Sequence, residues 1–286
     1  MKFQTFTIVC GTTACQASCP MCISAMTPTD GLAPQINWRN FKIAKELAKK
    51  SGVSTVMITG KGEPTLWVAT LDSYIENLQG FPIIELQTNG IGLTKFPEFK
   101  LQNWYDAGLT TIVISICHWK DERNKEIYLH HRNEAYPPLV NTVKLLHDIG
   151  FSVRLNCILL KDYVALTYTV EELIAFAKKN GVEQLTLMPV NAPKESKNEG
   201  VANWVAEHKL STEQLTRIEN MLDTDGTPLM DLAHGARVFD YKGQNVCLSN
   251  CLSTVRYRDE SVMRNLIFMP DGHLRYDWQH TGAIIL

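Results

Sequence analysis

The stretch Phe3-Gln-Thr-Phe-Thr-Ile-Val-Cys10-Gly-Thr-Thr-Ala-Cys15-Gln-Ala-Ser-Cys19-Pro-Met-Cys22 decides how this chain is read. Its first part, Phe3 to Cys10, mixes β-branched and aromatic residues and predicts a first strand. The second part is a loop in which Cys15, Cys19 and Cys22 are separated by three and then two residues. Thiolates are soft ligands, and three of them can hold three irons of a cubane cluster, leaving the fourth iron open to a non-protein ligand. A zinc site with four cysteine ligands would need another cysteine nearby, and the next along the chain is Cys117.

Outward from this loop, strand and helix signals alternate. Asn37 caps a helix through about Lys50, with Phe41, Ala44, Leu47 and Ala48 spaced for one apolar face. Val53 to Thr59 is a buried-type strand that runs into Gly60-Lys61-Gly62-Glu63-Pro64, followed by a helix from about Leu66 to Leu78. Pro82 to Gln87 is a third strand, closing on Thr88-Asn89-Gly90 and followed by a helix near Pro97 to Ala107. Thr110 to Cys117 is a fourth strand, after which a polar, aromatic loop and a helix from about Pro138 to Ile149 are expected. Phe151 to Leu160, a helix over Val170 to Asn180, and Glu183 to Val190 complete the series. Such alternation implies an α/β chain of parallel strands joined by right-handed crossovers. An open doubly wound sheet and a partial barrel both fit, and in either the chemistry sits at the C-terminal ends of the strands. The cysteine loop and the glycine-rich turn both lie there. Glycines let the backbone approach a ligand closely, and bare amides and carbonyls can grip an α-amino acid moiety.

With 286 residues, 45% hydrophobic and 20% charged, the chain has the composition of a globular protein. The formal net charge of −2 does not predict a broad nucleic-acid-binding surface. No apolar run approaches a membrane span, and the N-terminus shows no signal-peptide pattern. Eight cysteines in a chain of this length are not the density of a secreted disulfide scaffold. A cytoplasmic setting with reduced thiols is therefore expected.

The CxxxCxxC loop after strand one and Gly62-Glu63-Pro64 after strand two together resemble the radical S-adenosylmethionine (radical SAM) superfamily. The resemblance covers about residues 3 to 190 and implies a partial (β/α)6 TIM-type barrel over residues 1–190. A C-terminal extension, 191–286, would close the barrel and help form the substrate site. By the same resemblance, Cys15, Cys19 and Cys22 bind a [4Fe–4S] cluster, and Gly60, Gly62 and Glu63 contact the methionine part of S-adenosyl-L-methionine. The implied chemistry is reductive cleavage of that cofactor to a 5′-deoxyadenosyl radical, which removes hydrogen from substrate in a lyase, rearrangement or oxidation reaction. An electron donor such as flavodoxin or ferredoxin is implied as well.

Other positions match the family singly. Met21 stands where the family usually has an aromatic residue near the adenine, and a thioether also packs on rings. Ser115 matches a serine bonded to the cofactor, and Met188 a methionine at the adenine. Gln87-Thr88-Asn89-Gly90 resembles a turn of the molybdenum-cofactor cyclase-like subgroup, in which the threonine faces substrate. Arg154 and Asn156 resemble that subgroup's Lys-x-Asn, whose lysine contacts substrate. Thr88, Arg154 and Asn156 are thus the candidate catalytic residues.

Beyond residue 190 the chain is polar and broken over Lys194 to Lys209, with a helix from about Thr212 to Leu222 and a hairpin from Leu266 to Trp278 turning at Asp271-Gly272. The cyclase-like relatives bind a second cluster through three C-terminal cysteines; here only Cys247 and Cys251 stand in this region, and the terminal glycine pair of those cyclases is absent. Reduced structural or substrate-lining thiols are the expectation. His118, Trp119, Lys120, Tyr128, His130, His131 and Arg132, with His273, Arg275, Tyr276, Asp277 and Trp278, are the clues to substrate. Flat aromatics beside hydrogen-bonding groups suit a small polar nitrogen heterocycle, such as a purine-like base or nucleoside. The rival readings are a peptide- or tRNA-modifying radical SAM enzyme and a non-catalytic iron–sulfur or zinc-binding protein.

Overall fold

The computed structural model describes residues 2–130, 132, 134–232, 235–249 and 262–286. In chain order the elements are β1 (Lys2–Val9), α1 (Ile23–Met26), α2 (Trp38–Lys50), β2 (Thr55–Thr59), α3 (Val68–Asn77), β3 (Ile83–Thr88), α4 (Glu98–Asp106) and β4 (Thr111–Ile116). There follow α5 (Asp121–Tyr128), α6 (Leu139–Ile149), β5 (Ser152–Leu159), α7 (Thr167–Lys179), β6 (Gln184–Pro189), α8 (Glu199–His208) and α9 (Thr212–Asp225). The last strands are β7 (Thr227–Asp231), β8 (Arg237–Tyr241), β9 (Gln244–Leu248), β10 (Val262–Phe268) and β11 (Leu274–Arg275).

All strands join one sheet in the order β11-β10-β1-β2-β3-β4-β5-β6-β9-β8-β7. From β10 through β1–β6 to β9 every pairing is parallel, and the outermost strands are antiparallel. Alternate strand residues explain the architecture. Phe6, Ile8, Val56, Ile58, Ile84, Leu86, Ile112, Val153, Leu155 and Leu185 share one core cluster with the helix residues Phe41, Leu71, Leu101, Val143 and Leu173. The helices α2, α3, α4, α6 and α7 therefore cover the same face. A doubly wound sheet would have helices on both faces. One covered face means that the wall curves, with the other face turned inward, as in a partial TIM-type barrel. β5 shows the alternation plainly: Val153, Leu155, Cys157 and Leu159 are buried, while Ser152, Arg154, Asn156 and Ile158 are half-buried and face inward.

Residues beyond 190 contribute more than an appendage. β10 lies parallel to β1 and β9 parallel to β6, so two strands of the C-terminal segment lengthen the wall at both edges. The hairpin turn is present, with Gly272 N donating to Met269 O at 2.9 Å. Helices also form where irregular chain was expected. α5 occupies the predicted polar loop, with Asp121 and Glu122 in its first turn, where the helix dipole favours acids. In α8 the cap Asn198 accepts from Val201 N at 3.1 Å. No helix among the described residues is long and apolar enough to cross a membrane.

Candidate active site

The cysteine loop leaves β1 at its C-terminal end, where Cys10 N still donates to Thr59 O of β2 at 2.7 Å. It is pinned on two sides. Glu63 N donates to Ala14 O at 2.9 Å, and Ser18 N donates to Tyr128 O at 2.9 Å. Gly62 is required for the first contact: a Cβ there would lie 2.1 Å from Ala14 O. The two motifs that stood apart in sequence therefore interlock by backbone contact.

Cys15, Cys19 and Cys22 are free, partly exposed thiols. Ala17 N donates to Cys15 Sγ at 3.4 Å, and Asn89 Nδ2 lies 3.6 Å from the same sulfur. Burial, then mutual repulsion with the neighbouring thiols, pushes the Cys19 thiol well above its ordinary range, and burial foremost raises Cys15. Such thiols need a cationic partner to ionise. Among the described residues no three His, Cys, Asp or Glu side chains converge closely enough to hold one metal ion. Thiolates on a single zinc would stand about 4 Å apart. A cubane places each thiolate on a different iron and so spreads them. The donor set, three soft thiols on one loop, fits the cluster.

Glu63 braces the neighbouring strand ends. It is 3% exposed. Its Oε1 accepts from Thr65 N at 3.0 Å, Thr65 Oγ1 at 2.8 Å and Thr88 Oγ1 at 2.6 Å, and its Oε2 from Asn89 N at 2.9 Å. Burial pushes its pKa upward and these four donors pull it back. The Glu63 carboxylate takes all four of these bonds from within the protein. The Thr88 hydroxyl, expected to face substrate, donates to Glu63 and accepts from Gly90 N at 3.1 Å. Met21, expected near the adenine, is 4% exposed and packs with Met26, Ile91, Ile127 and Tyr128.

Along the inner wall, Ser115, Asn156, Thr186 and Cys247 stand side by side in strand register. Asn156 Oδ1 is buried with no hydrogen-bond partner, an acceptor that a ligand would complete. Met188 pairs with Ile158 two residues further toward the C-terminal rim. Arg154, expected to contact substrate and one row below Asn156, donates from Nη1 to Glu85 Oε2 at 3.0 Å as an ion pair. Cys247 is 7% exposed, and burial pushes its thiol up to about 11. Cys251 and His131 lie outside the described residues.

The aromatic substrate clues divide. Tyr128 is 2% exposed, its hydroxyl 3.7 Å from Cys117 Sγ, and belongs to the core. His118 stacks on Trp119 at 3.8 Å and accepts at Nδ1 from Lys120 N. Burial foremost, then Arg123 and Lys120, push its pKa down to about 4. His273 is tied to Asp271, and Tyr276 is exposed. Arg275 and Trp278 instead converge on Lys61, a residue that motif reading passed over as part of a turn. Lys61 lines a cavity of about 470 Å³ together with Thr13, Cys22, Thr27, Asp30 and Lys197. A second cavity of about 470 Å³, reaching from Thr167 to Asp225, is lined by none of the site residues.

Parallel strands with helices on one face, and a three-thiol loop gripped by a glycine turn at the strand ends, define a barrel built around a cluster. The chain belongs to the Radical SAM superfamily, whose family model matches residues 9–165. The family uses a [4Fe–4S] cluster and S-adenosyl-L-methionine, and the loop described above fits that cluster. The chain is 28% identical over 154 residues to a GTP 3′,8-cyclase of Shewanella denitrificans, covering 52% of this chain and 43% of that protein. A GTP 3′,8-cyclase of Stenotrophomonas maltophilia is 29% identical over 154 residues, 52% of this chain and 44% of its own. The matched segment thus spans less than half the length of these curated relatives. In fold, the chain is similar to SuiB of Streptococcus suis bound to S-adenosylmethionine (TM-score 0.62, 17% identity, 96% of this chain and 60% of that one). It is also similar to anSMEcpe with bound AdoMet (TM-score 0.64, 13% identity, 97% and 75%).

Proposed function

We propose that Cys15, Cys19 and Cys22 ligate the [4Fe–4S] cluster, and that the inner wall beside it is the active site of an enzyme acting on a small nitrogen heterocycle, such as a purine-like base or nucleoside. The bound cluster and cofactor supply reductive cleavage of a carbon–sulfur bond to give a 5′-deoxyadenosyl radical. The observation that carries the reading is the interlock of Gly62 with Ala14, which holds the glycine turn against the thiol loop. The backbone of Gly60 and Gly62 then meets the methionine end of the cofactor, and Ser115 and Met188 its nucleoside end. Asn156, with its unpaired buried Oδ1, accepts a hydrogen bond from the substrate. Arg154, held by Glu85, and Thr88, held by Glu63, keep the surrounding wall in place. The 191–286 segment supplies β9 and β10 at the two edges of the wall, and the protein's contribution is to fix the reacting carbon and exclude water.

The purine reading rests on the two GTP 3′,8-cyclase relatives and on the polar inner row. An anaerobically reconstituted enzyme, reduced with S-adenosylmethionine, should form 5′-deoxyadenosine several-fold faster with one member of a panel of purine bases, nucleosides and nucleotides. Acceleration by peptides, with the purine panel inert, would replace this substrate class by the peptide-modifying one.

A further inference from the structure

Two cations are shut into the fold without an anion. Lys61 is 6% exposed and Arg275 7% exposed. Lys61 Nζ donates to Thr27 Oγ1 at 2.7 Å and sits 5.1 Å from the Trp278 ring centroid. Thr27 spends its own proton on Ile23 O at 2.9 Å, so it fixes the ammonium without neutralising it. The indole face attracts a cation but likewise carries no charge. Arg275 Nε is buried with no partner. Among the described residues no carboxylate lies within ion-pair distance of Lys61, Arg275 or Lys197. Burial foremost, then Arg275, pushes the Lys61 pKa down to about 8, so the two cations oppose each other. Buried charge is strongly unfavourable unless paired, and folds retain it where a ligand completes the pair.

The space for that ligand adjoins Lys61. Lys61 and Lys197 line the cavity of about 470 Å³ that also touches Cys22 of the cluster loop, with Asp30 the one carboxylate residue on its wall. That volume suits a small ligand. We propose that Lys61 and Arg275, with Lys197 on the cavity wall, anchor an oxyanion, phosphate or carboxylate, carried by the substrate. The assignment rests on the reading above that substrate binds beside the cluster loop, and it adds that this substrate is anionic. Two ammonium protons of Lys61 remain for the ligand, and the planar guanidinium of Arg275 offers a fork that matches either oxyanion.

The competing source of an oxyanion is the α-carboxylate of S-adenosylmethionine, and the test separates the two. Holoenzyme reconstituted anaerobically and loaded with S-adenosylmethionine is titrated calorimetrically with inorganic pyrophosphate and with malonate. At least one should bind, and Lys61→Met and Arg275→Met should each weaken it about tenfold or more. Lys61→Arg should retain it. The dissociation constant of S-adenosylmethionine should stay within about twofold of wild type in all three variants. Folding is checked by melting of the unliganded protein, where Lys61→Met should melt no lower than wild type because an uncompensated buried charge has gone. Equal anion binding by wild type and both methionine variants, or none by wild type, overturns the proposal. About tenfold weaker cofactor binding in Lys61→Met assigns the cations to the cofactor's carboxylate and overturns it too. Absence of 5′-deoxyadenosine from wild type would instead overturn the enzymatic reading, whatever the anions do.

Discussion

Replacing Glu63 with glutamine exchanges one oxygen for an amide group and leaves the side chain's size almost unchanged. The carbonyl oxygen can stay with Thr65 N, Thr65 Oγ1 and Thr88 Oγ1, which now meet an uncharged and weaker acceptor. The new NH₂ faces Asn89 N, which Oε2 accepts from at 2.9 Å in the wild type. Two donors are then set against each other in a buried place, at about 1–3 kcal/mol. Relief from burying a carboxylate returns part of this, so a net loss of about 2 kcal/mol is expected. At about 2–4 °C per kcal/mol for a chain approaching this size, the melting midpoint should fall by about 4–8 °C. Far-UV circular dichroism reads it directly. Thr88→Val should be destabilising alone and less so in the Glu63→Gln background, with a coupling of about 1 kcal/mol, because Glu63→Gln has already weakened the 2.6 Å bond that Thr88→Val removes. A Glu63→Gln midpoint within about 1 °C of wild type would refute the assignment of Glu63 as the fastener between the two strand ends.

Three other perturbations have defined outcomes. Gly62→Ala puts a methyl 2.1 Å from Ala14 O and must displace the cysteine loop, so the reconstituted variant should retain much less iron; wild-type iron content would show that the contact gives way freely. Asn89→Leu removes the donor 3.6 Å from Cys15 Sγ and should shift the cluster's midpoint potential to more negative values in a titration followed by electron paramagnetic resonance, an unchanged potential refuting the contact. His118 has its folded pKa pushed down to about 4 from an ordinary 6.5, so the unfolded chain binds a proton that the fold refuses between these values. Its contribution is full above that window and lost as pH falls through it, and His118→Gln should flatten urea-unfolding stability between about pH 6.5 and 4. An equally steep profile in the variant would show that other groups set it.

The parallel core was legible because each strand carries its own local signal. Val53 to Thr59 and Thr110 to Cys117 are β-branched runs closed by turns, and such runs read alike in any context. The edges were not, because their pairing is non-local: Val262–Phe268 joins β1 across some 250 residues of chain, and nothing in Thr227–Asp231 or Gln244–Leu248 marks a strand. Asp121–Tyr128 reads as loop in the sequence because its polar run buries only Asn124, Ile127 and Tyr128. In the site, cysteine spacing is a covalent pattern and survives reading from sequence, whereas the directions of side chains do not. Thr88 and Glu63 could satisfy each other only once β2 and β3 were adjacent. Lys61 looked like part of a turn, and its burial depends on Trp278 and Arg275 returning from the far end of the chain.

Iron content and cofactor cleavage, measured together, test the central claim most directly. Wild-type protein reconstituted anaerobically should hold about four irons per chain and form 5′-deoxyadenosine from S-adenosylmethionine on reduction, and Cys19→Ala should lose both. Iron well above four would bring Cys247 and Cys251 in as ligands of a second cluster. Tightly bound zinc with no 5′-deoxyadenosine, or a Cys19→Ala variant that still cleaves the cofactor, would contradict the account.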